Sequence, residues 1–245
     1  MKENYSEEIS QIIRSKQSPQ VIREKLLDYH ENDIAAALDV MTPPERKRIY
    51  RILSAEELSD IFEYADEDQV SLYLEEMDIK KKTALISGMD ADKAVKVLRQ
   101  LDKKERDVLI ELIDDESKRD IALIASFDED QIGSRMTTDY VSICFDLSIK
   151  EAMKELIRQA AENDNISTLY IIDHENVFCG AIRLNDLIRA REDEKLENLV
   201  VTSYPFVYAK EDTDDCLEWL KDYSEDSIPA LDENNKLIGV ITSQD

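Results

Sequence analysis

The side chains here with the most chemical capacity are carboxylates. Of 245 residues, 56 are Asp or Glu against 31 Lys or Arg, a formal net charge of −25. The densest patch is residues 211–226, with eight acids and one lysine, Lys221. Such a chain is repelled by phosphate backbones and anionic bilayers, which argues against a nucleic-acid partner. Its natural complements are a basic protein surface or hard metal ions, which prefer oxygen ligands. Other chemistries are poorly supplied. Cys144, Cys179 and Cys216 stand more than thirty residues apart with no CxxC, against a disulfide framework or thiolate zinc site and in favour of a reducing, cytosolic setting. His30 and His174 are the only histidines; His174, beside Asp173, reads as an exposed turn residue and weak metal evidence. No Ser/His/Asp or Cys/His set suggests itself, so no enzyme is expected. With four glycines and neither GxxxxGK[ST] nor GxGxxG, the usual phosphate loops are excluded. No apolar run approaches the ~18–20 residues that span a bilayer.

The elements that must position these acids divide near residue 130. In the first half apolar residues recur every twelve positions, at Met41, Leu53, Ala65, Met77, Met89, Leu101, Ile113 and Ala125. Each is followed by a residue of helix-capping type: Thr42, Ser54, Asp66, Asp78, Asp90, Asp102, Asp114 and Ser126. Seven residues beyond each of the first seven caps sits a further apolar group, from Ile49 and Ile61 through Ile121. Glu45, Glu57, Gln69 and Glu105 complete capping boxes, and Thr42-Pro43 starts a helix with proline at its first position. A twelve-residue unit holds one helix of two to three turns plus a tight turn. Such helices are marginal alone and stable when stacked into a continuous core. Residues ~20–127 therefore read as a spiral of short helices, preceded by one or two leading helices over 5–29. Asp60 and Asp92 fall outside the cap register.

After Ser126 the pattern changes. FDEDQIGSRMTT reads as a linker. YVSICF, TLYIID, CGAIRL, YPFVYA, IPALD and LIGVIT read as strands, with helices at 148–161 and 213–223. Two halves align: Asp173 precedes Gly180 by seven residues, as Asp232 precedes Gly239. The unit is strand, Asp/Asn turn, strand, helix start, used twice.

These residues resemble two things at once. The paired halves (CGAIRLNDLI; DENNKLIGVITSQD) look like a tandem CBS module. Together with the twelve-residue repeats and the FDEDQIGSRMTTDYV junction, the whole chain resembles the cytosolic part of the MgtE family of magnesium transporters. The resemblance implies a mainly α N-terminal half, a superhelix of short helical repeats, followed by an α+β tandem CBS module. The domains expected are a helical-repeat N domain at 1–127, a linker and first CBS unit at 128–195, and a second CBS unit at 196–245 that stops at its last helix. The chain is then a soluble sensor on the cytoplasmic face of the membrane, excised from a protein whose transmembrane domain is its partner, and a homodimer through its CBS units.

The resemblance also implies the mechanism and its residues. Mg²⁺ draws the N domain onto the CBS module and shuts the pore. Two acidic surfaces that repel until cations bridge them suffice for a millimolar gauge, since one like-charge pair ~8 Å apart at a protein surface costs on the order of 1–2 kcal/mol. Family ligands match Asp60 and Asp92; the next family acid, one turn on, is replaced by Lys96. On the CBS side Asp214 or Asp215 matches a ligand at the start of the second CBS helix. Another falls at Ser224, with Glu225 and Asp226 adjacent, and Asp245 matches an acid at the membrane-facing end. Tandem CBS units also bind adenine nucleotides through a Gly-x-x-Thr/Ser-x-x-Asp run. Gly239–Asp245 keeps that form, making Thr242 and Asp245 candidate ATP contacts, whereas the first half has Arg183 at the hydroxyl position. An acidic scaffold for a basic partner is the third reading.

Overall fold

The computed structural model describes residues 5–161 and 163–242, and the chain divides into two compact units, 1–121 and 122–245. The first is helical. Its elements are α1 (Ser6–Arg14), α2 (Pro19–Leu26), α3 (Glu31–Val40), α4 (Pro43–Ile52), α5 (Ala55–Glu63), α6 (Glu67–Glu75), α7 (Ile79–Gly88), α8 (Ala91–Gln100), α9 (Lys103–Leu112) and α10 (Asp115–Ala125), the last running across the division. The twelve-residue period sets their lengths, and the caps set their starts. Thr42 and Ser54 close capping boxes with Glu45 and Glu57. Asp78, Asp102 and Asp114 accept first-turn N–H groups directly. Asp66 and Asp90 hold the cap position without a side-chain cap bond. Ser126 departs from its expected role: its hydroxyl donates back to the Leu123 carbonyl and ends α10.

A connection of two to four residues between helices turns the chain, so each helix packs chiefly on the next but one: α1 on α3, α3 on α5, α5 on α7, α6 on α8, α7 on α9. The seven-past-cap residues Ile49, Ile61, Tyr73, Leu85, Val97, Leu109 and Ile121 are all buried. A buried Leu, Ile or aromatic contributes roughly 1.5–3 kcal/mol, which is what holds these short helices in place.

The second unit contains β1 (Val141–Cys144), α11 (Ile149–Gln159), β2 (Thr168–Ile172), β3 (Phe178–Arg183) and α12 (Leu184–Arg189), then β4 (Val207–Tyr208), α13 (Thr213–Leu220), β5 (Ser227–Leu231) and β6 (Leu237–Thr242). The sheets are β1-β2-β3 and β4-β5-β6, each parallel then antiparallel, with matching register irregularities at Ile171/Ile172 and Ala230/Leu231. The repeated Asp explains itself. Asp173 Oδ1 accepts from Glu175 and Val177 N–H, and Asp232 Oδ1 from Asn234 and Lys236 N–H, leaving Asn176 and Asn235 at positive φ. The two hairpins then cross-bond, Phe178 N–H to Asn235 O and Leu237 N–H to Asn176 O. Tyr170 and Ser227 hydroxyls meet at 2.6 Å between the halves.

The repeated Gly explains itself too. Backbone crosses directly over each: a Cβ on Gly180 would stand 2.7 Å from Val201 O, and one on Gly239 would stand 2.6 Å from Met136 Sδ and 3.0 Å from Thr137 O. The segment read as a linker is bonded into this unit. Ile132 and Gly133 N–H donate to Glu211 O and Ala209 O, Thr213 N–H to Asp130 O, and Thr137 pairs with Val240. It serves the second half of the pair, a pairing that short-range pattern does not contain.

Candidate metal centre

On the helical unit the candidate residues Asp60 and Asp92 lie on α5 and in the first turn of α8. Asp60 is exposed on α5. Glu63, one turn further along that helix, accepts from the Asp90 N–H at 3.0 Å, so the start of α8 is capped by a side chain from α5. Asp92 follows in the first turn of α8, only 8% exposed. The Glu63 carboxyl is pushed up to about 8, first by burial and then by the charges of Asp90 and Asp92, against the Asp90 N–H and Lys93. Glu63, Asp90 and Asp92 thus lie close enough for their charges to act on one another, with Lys93 opposing the repulsion. Two cations border these acids. Lys96 Nζ pairs with Asp92 at 3.0 Å, so the lysine standing in place of an acid partly neutralises its neighbour. Buried Lys93 donates to Ala65 O and lies 3.7 Å from Glu67. Hard carboxylate oxygens suit Mg²⁺, which takes one or two carboxylates and keeps its waters.

On the second unit Asp214 and Asp215 are exposed at the start of α13, their N–H groups bonded to Asp212 Oδ1, which occupies the capping role. Glu225 is partly buried and pairs with Arg183 at 3.5 Å, joining the two halves, while Asp226 is exposed. Thr242 closes β6, paired in register with Ser227 just as Arg183 pairs with Thr168. The two pseudo-equivalent positions therefore carry a threonine and an ion-paired arginine. Asp245 lies outside the described residues.

Two groupings escaped the sequence reading. Glu63 was missed because its link to Asp90 is 27 residues long; the only local signal is its i+3 spacing from Asp60. The second corrects the expectation that no Cys/His set exists: Cys144, Asp146 and His174 converge at the ends of β1 and β2. Parallel pairing places Cys144 opposite Ile172, two residues before His174. Cys144 Sγ lies 3.6 Å from His174 Nδ1, and Asp146 Oδ2 3.2 Å from His174 Nε2. Burial pushes the Cys144 thiol up, and its bond to Asp146 holds that carboxyl down.

A spiral of short helices joined to a strand-hairpin unit used twice defines a helical-repeat domain coupled to a CBS pair. The sequence matches the MgtE intracellular N domain over residues 29–130 and the CBS domain over 130–193 and 197–245. The chain carries an MgtE N domain followed by a tandem CBS pair and is homologous to MgtE magnesium transporters. It is 27% identical to the magnesium transporter MgtE of Enterococcus faecalis over 91% of this chain and 50% of that protein. It is also similar to the structure of the soluble part of a magnesium transporter, at 27% identity and a TM-score of 0.92 over 98% of this chain and 95% of that one. The fold likewise matches the cytosolic domain of the Mg²⁺ channel MgtE in complex with ATP, with a TM-score of 0.85, 21% identity and 93% of both chains covered. The chain spans about half the length of the curated MgtE relatives. Among its described residues no helix is long and apolar enough to cross a membrane.

Proposed function

We propose that this chain is the Mg²⁺-sensing regulatory part of a magnesium transporter or channel, acting at the cytoplasmic face of the membrane without catalysing a reaction. Mg²⁺ bridges the acidic surface of the N domain, through Asp60, Glu63 and Asp92, to that of the CBS module, through Asp214 or Asp215, Glu225, Asp226 and Asp245, and the closed arrangement shuts the pore of the attached membrane domain. The observation that supports this reading is the corner where the Glu63 carboxylate accepts the Asp90 N–H at 3.0 Å beside Asp92, with burial first and then the charges of Asp90 and Asp92 raising the Glu63 carboxyl to about 8. A divalent ion offsets that repulsion, and a site of one or two carboxylates that leaves the ion most of its waters responds as a gauge and not as a tight buffer. Domain limits at 127/128 and 195/196 serve this reading.

Small-angle scattering tests it. The radius of gyration should fall on adding millimolar Mg²⁺ to chelator-treated protein, and sodium at equal ionic strength should not reproduce the change. Charge reversal at Asp60 or Asp92 should raise the midpoint, and Lys96→Glu, by releasing Asp92 and adding an acid, should lower it. A radius that stays fixed from metal-free to Mg²⁺-saturated protein refutes the proposal. A homodimer through the CBS units is supported by Ile157 on α11 and Ile188 on α12, which are 67% and 59% exposed on helices that pack together.

A second ligand is favoured by the asymmetry at the strand ends. The neighbour captured with ATP shares this fold, and Thr242 keeps the hydroxyl that Arg183 replaces. We infer one adenine-nucleotide site, at Thr242 and Asp245. Calorimetry with ATP in magnesium-free buffer should give one site per chain, lost in Thr242→Val; no heat removes this reading.

A further inference from the structure

The geometry points to a second metal site, of different chemistry from the acidic corner: Cys144, Asp146 and His174 hold a zinc-class divalent ion at the outer edge of the first CBS half. One ligand atom from each of the three residues lies within 4.8 Å of the others. For a tetrahedral zinc with Zn–S near 2.3 Å and Zn–N and Zn–O near 2.0–2.2 Å, ligand atoms stand about 3.6 Å apart for sulfur–nitrogen and about 3.4 Å for nitrogen–oxygen. The Sγ···Nδ1 distance is 3.6 Å and the Oδ2···Nε2 distance 3.2 Å, each near the spacing for its atom pair although they meet opposite nitrogens of the imidazole. With the Asp146 and His174 side chains 47% and 72% exposed, either can turn so that one imidazole nitrogen and one carboxylate oxygen face the metal together, with water in the fourth position.

The frame is rigid where it needs to be. Cys144 is fixed by the β1–β2 ladder, Phe145 N–H bonds Ile172 O, and the Phe145 ring stands edge-on to His174 with centroids 5.9 Å apart. His174 sits in the Asp173 turn, bonded at Glu175 and Val177 N–H.

The second half supplies an internal comparison. Tyr208, which pairs with Leu231 as Cys144 pairs with Ile172, together with Lys210 and Glu233, occupies the equivalent positions. There the corner is closed by a Lys210–Glu233 ion pair at 2.5 Å. The second half thus carries a cross-turn ion pair of non-ligating lysine and glutamate, where the first half carries three side chains able to ligate a metal. Thiolate plus imidazole selects zinc-type ions over Mg²⁺, so this site answers to a different cation from the one proposed above and does not depend on that proposal. Binding needs Cys144 as thiolate, its proton passing to solvent.

The test uses the reduced full chain and metal alone. Co²⁺ should produce a near-ultraviolet thiolate-to-cobalt absorption band that Zn²⁺ abolishes and excess Mg²⁺ leaves in place. Cys144→Ser should remove the band while Cys179→Ser and Cys216→Ser retain it. His174→Ala, at a side chain 72% exposed, should weaken Co²⁺ binding by at least about tenfold, the lower range for loss of even an outer partner, with circular dichroism matching the parent. Absence of the band in the parent protein, its survival in Cys144→Ser, or unchanged Co²⁺ affinity in His174→Ala overturns the assignment.

Discussion

Replacing Glu63 by glutamine isolates the electrostatic cost stored at the end of α5. The amide oxygen can still accept the Asp90 N–H, so the hydrogen bond at 3.0 Å is kept while the charge is lost. In the unfolded chain the carboxyl titrates near its ordinary 4.5, and in the folded chain at about 8. Between those values the folded protein holds a proton that the unfolded one has released. Stability therefore falls as pH rises through the window, and the loss is complete above the folded value. At 1.36 kcal/mol per unit, the span from 4.5 to about 8 sets a ceiling of about 5 kcal/mol. Water reaches this partly enclosed site, so we expect about 2–3 kcal/mol once screening and relaxation are counted. Urea unfolding followed by far-ultraviolet circular dichroism should show Glu63→Gln close to the parent at about pH 5 and more stable by that amount at about pH 9, without Mg²⁺. A difference between the two proteins that stays constant across this range would falsify the reasoning. The same group links to the proposed sensing: Mg²⁺ should flatten the parent's pH dependence by ionising Glu63 and releasing its proton, an effect missing from the variant.

Other outcomes follow from single contacts. Glu45 is held down at about 2 by its bond to Arg14, then by the Thr42 N–H and hydroxyl, so its stabilisation is present above 4.5 and lost as pH falls toward 2. Glu45→Gln should cost about 1 kcal/mol near neutrality and flatten the acid limb of the thermal stability curve. Gly180→Ala forces a side chain at φ +144° against Val201 O and should cost about 3 kcal/mol or more. Gly239→Ala, opposed mainly by the movable Met136 side chain, should cost less, as chemical denaturation of the two variants will show. Ile157→Asp combined with Ile188→Asp should turn a CBS-mediated dimer into a monomer by light scattering while leaving circular dichroism unchanged.

Much of this protein is written locally. The twelve-residue period places helices α4 to α10, since a buried stripe and a cap both act within one helix and leave a periodic trace. Alternating strands and the two Asp-to-Gly intervals likewise display both CBS halves. Asp60 and Asp92 stood out through family resemblance and their position off the cap register. What sequence reading lacked was every relationship spanning a turn of the spiral or two strands of a sheet. The junction at 128–137 has no periodicity and looked like a tether, yet its N–H groups complete the second CBS half.

The sequence by itself determined the elements and the net charge of −25, because propensity, capping and charge are properties of short stretches and sums. Tertiary structure alone decided which charges share a corner. Glu63 meets Asp90 and Asp92, Lys96 quiets Asp92, and Cys144 finds His174 only because helix packing and parallel strand pairing bring distant residues within a few ångströms, where Coulomb energy and metal coordination begin to act.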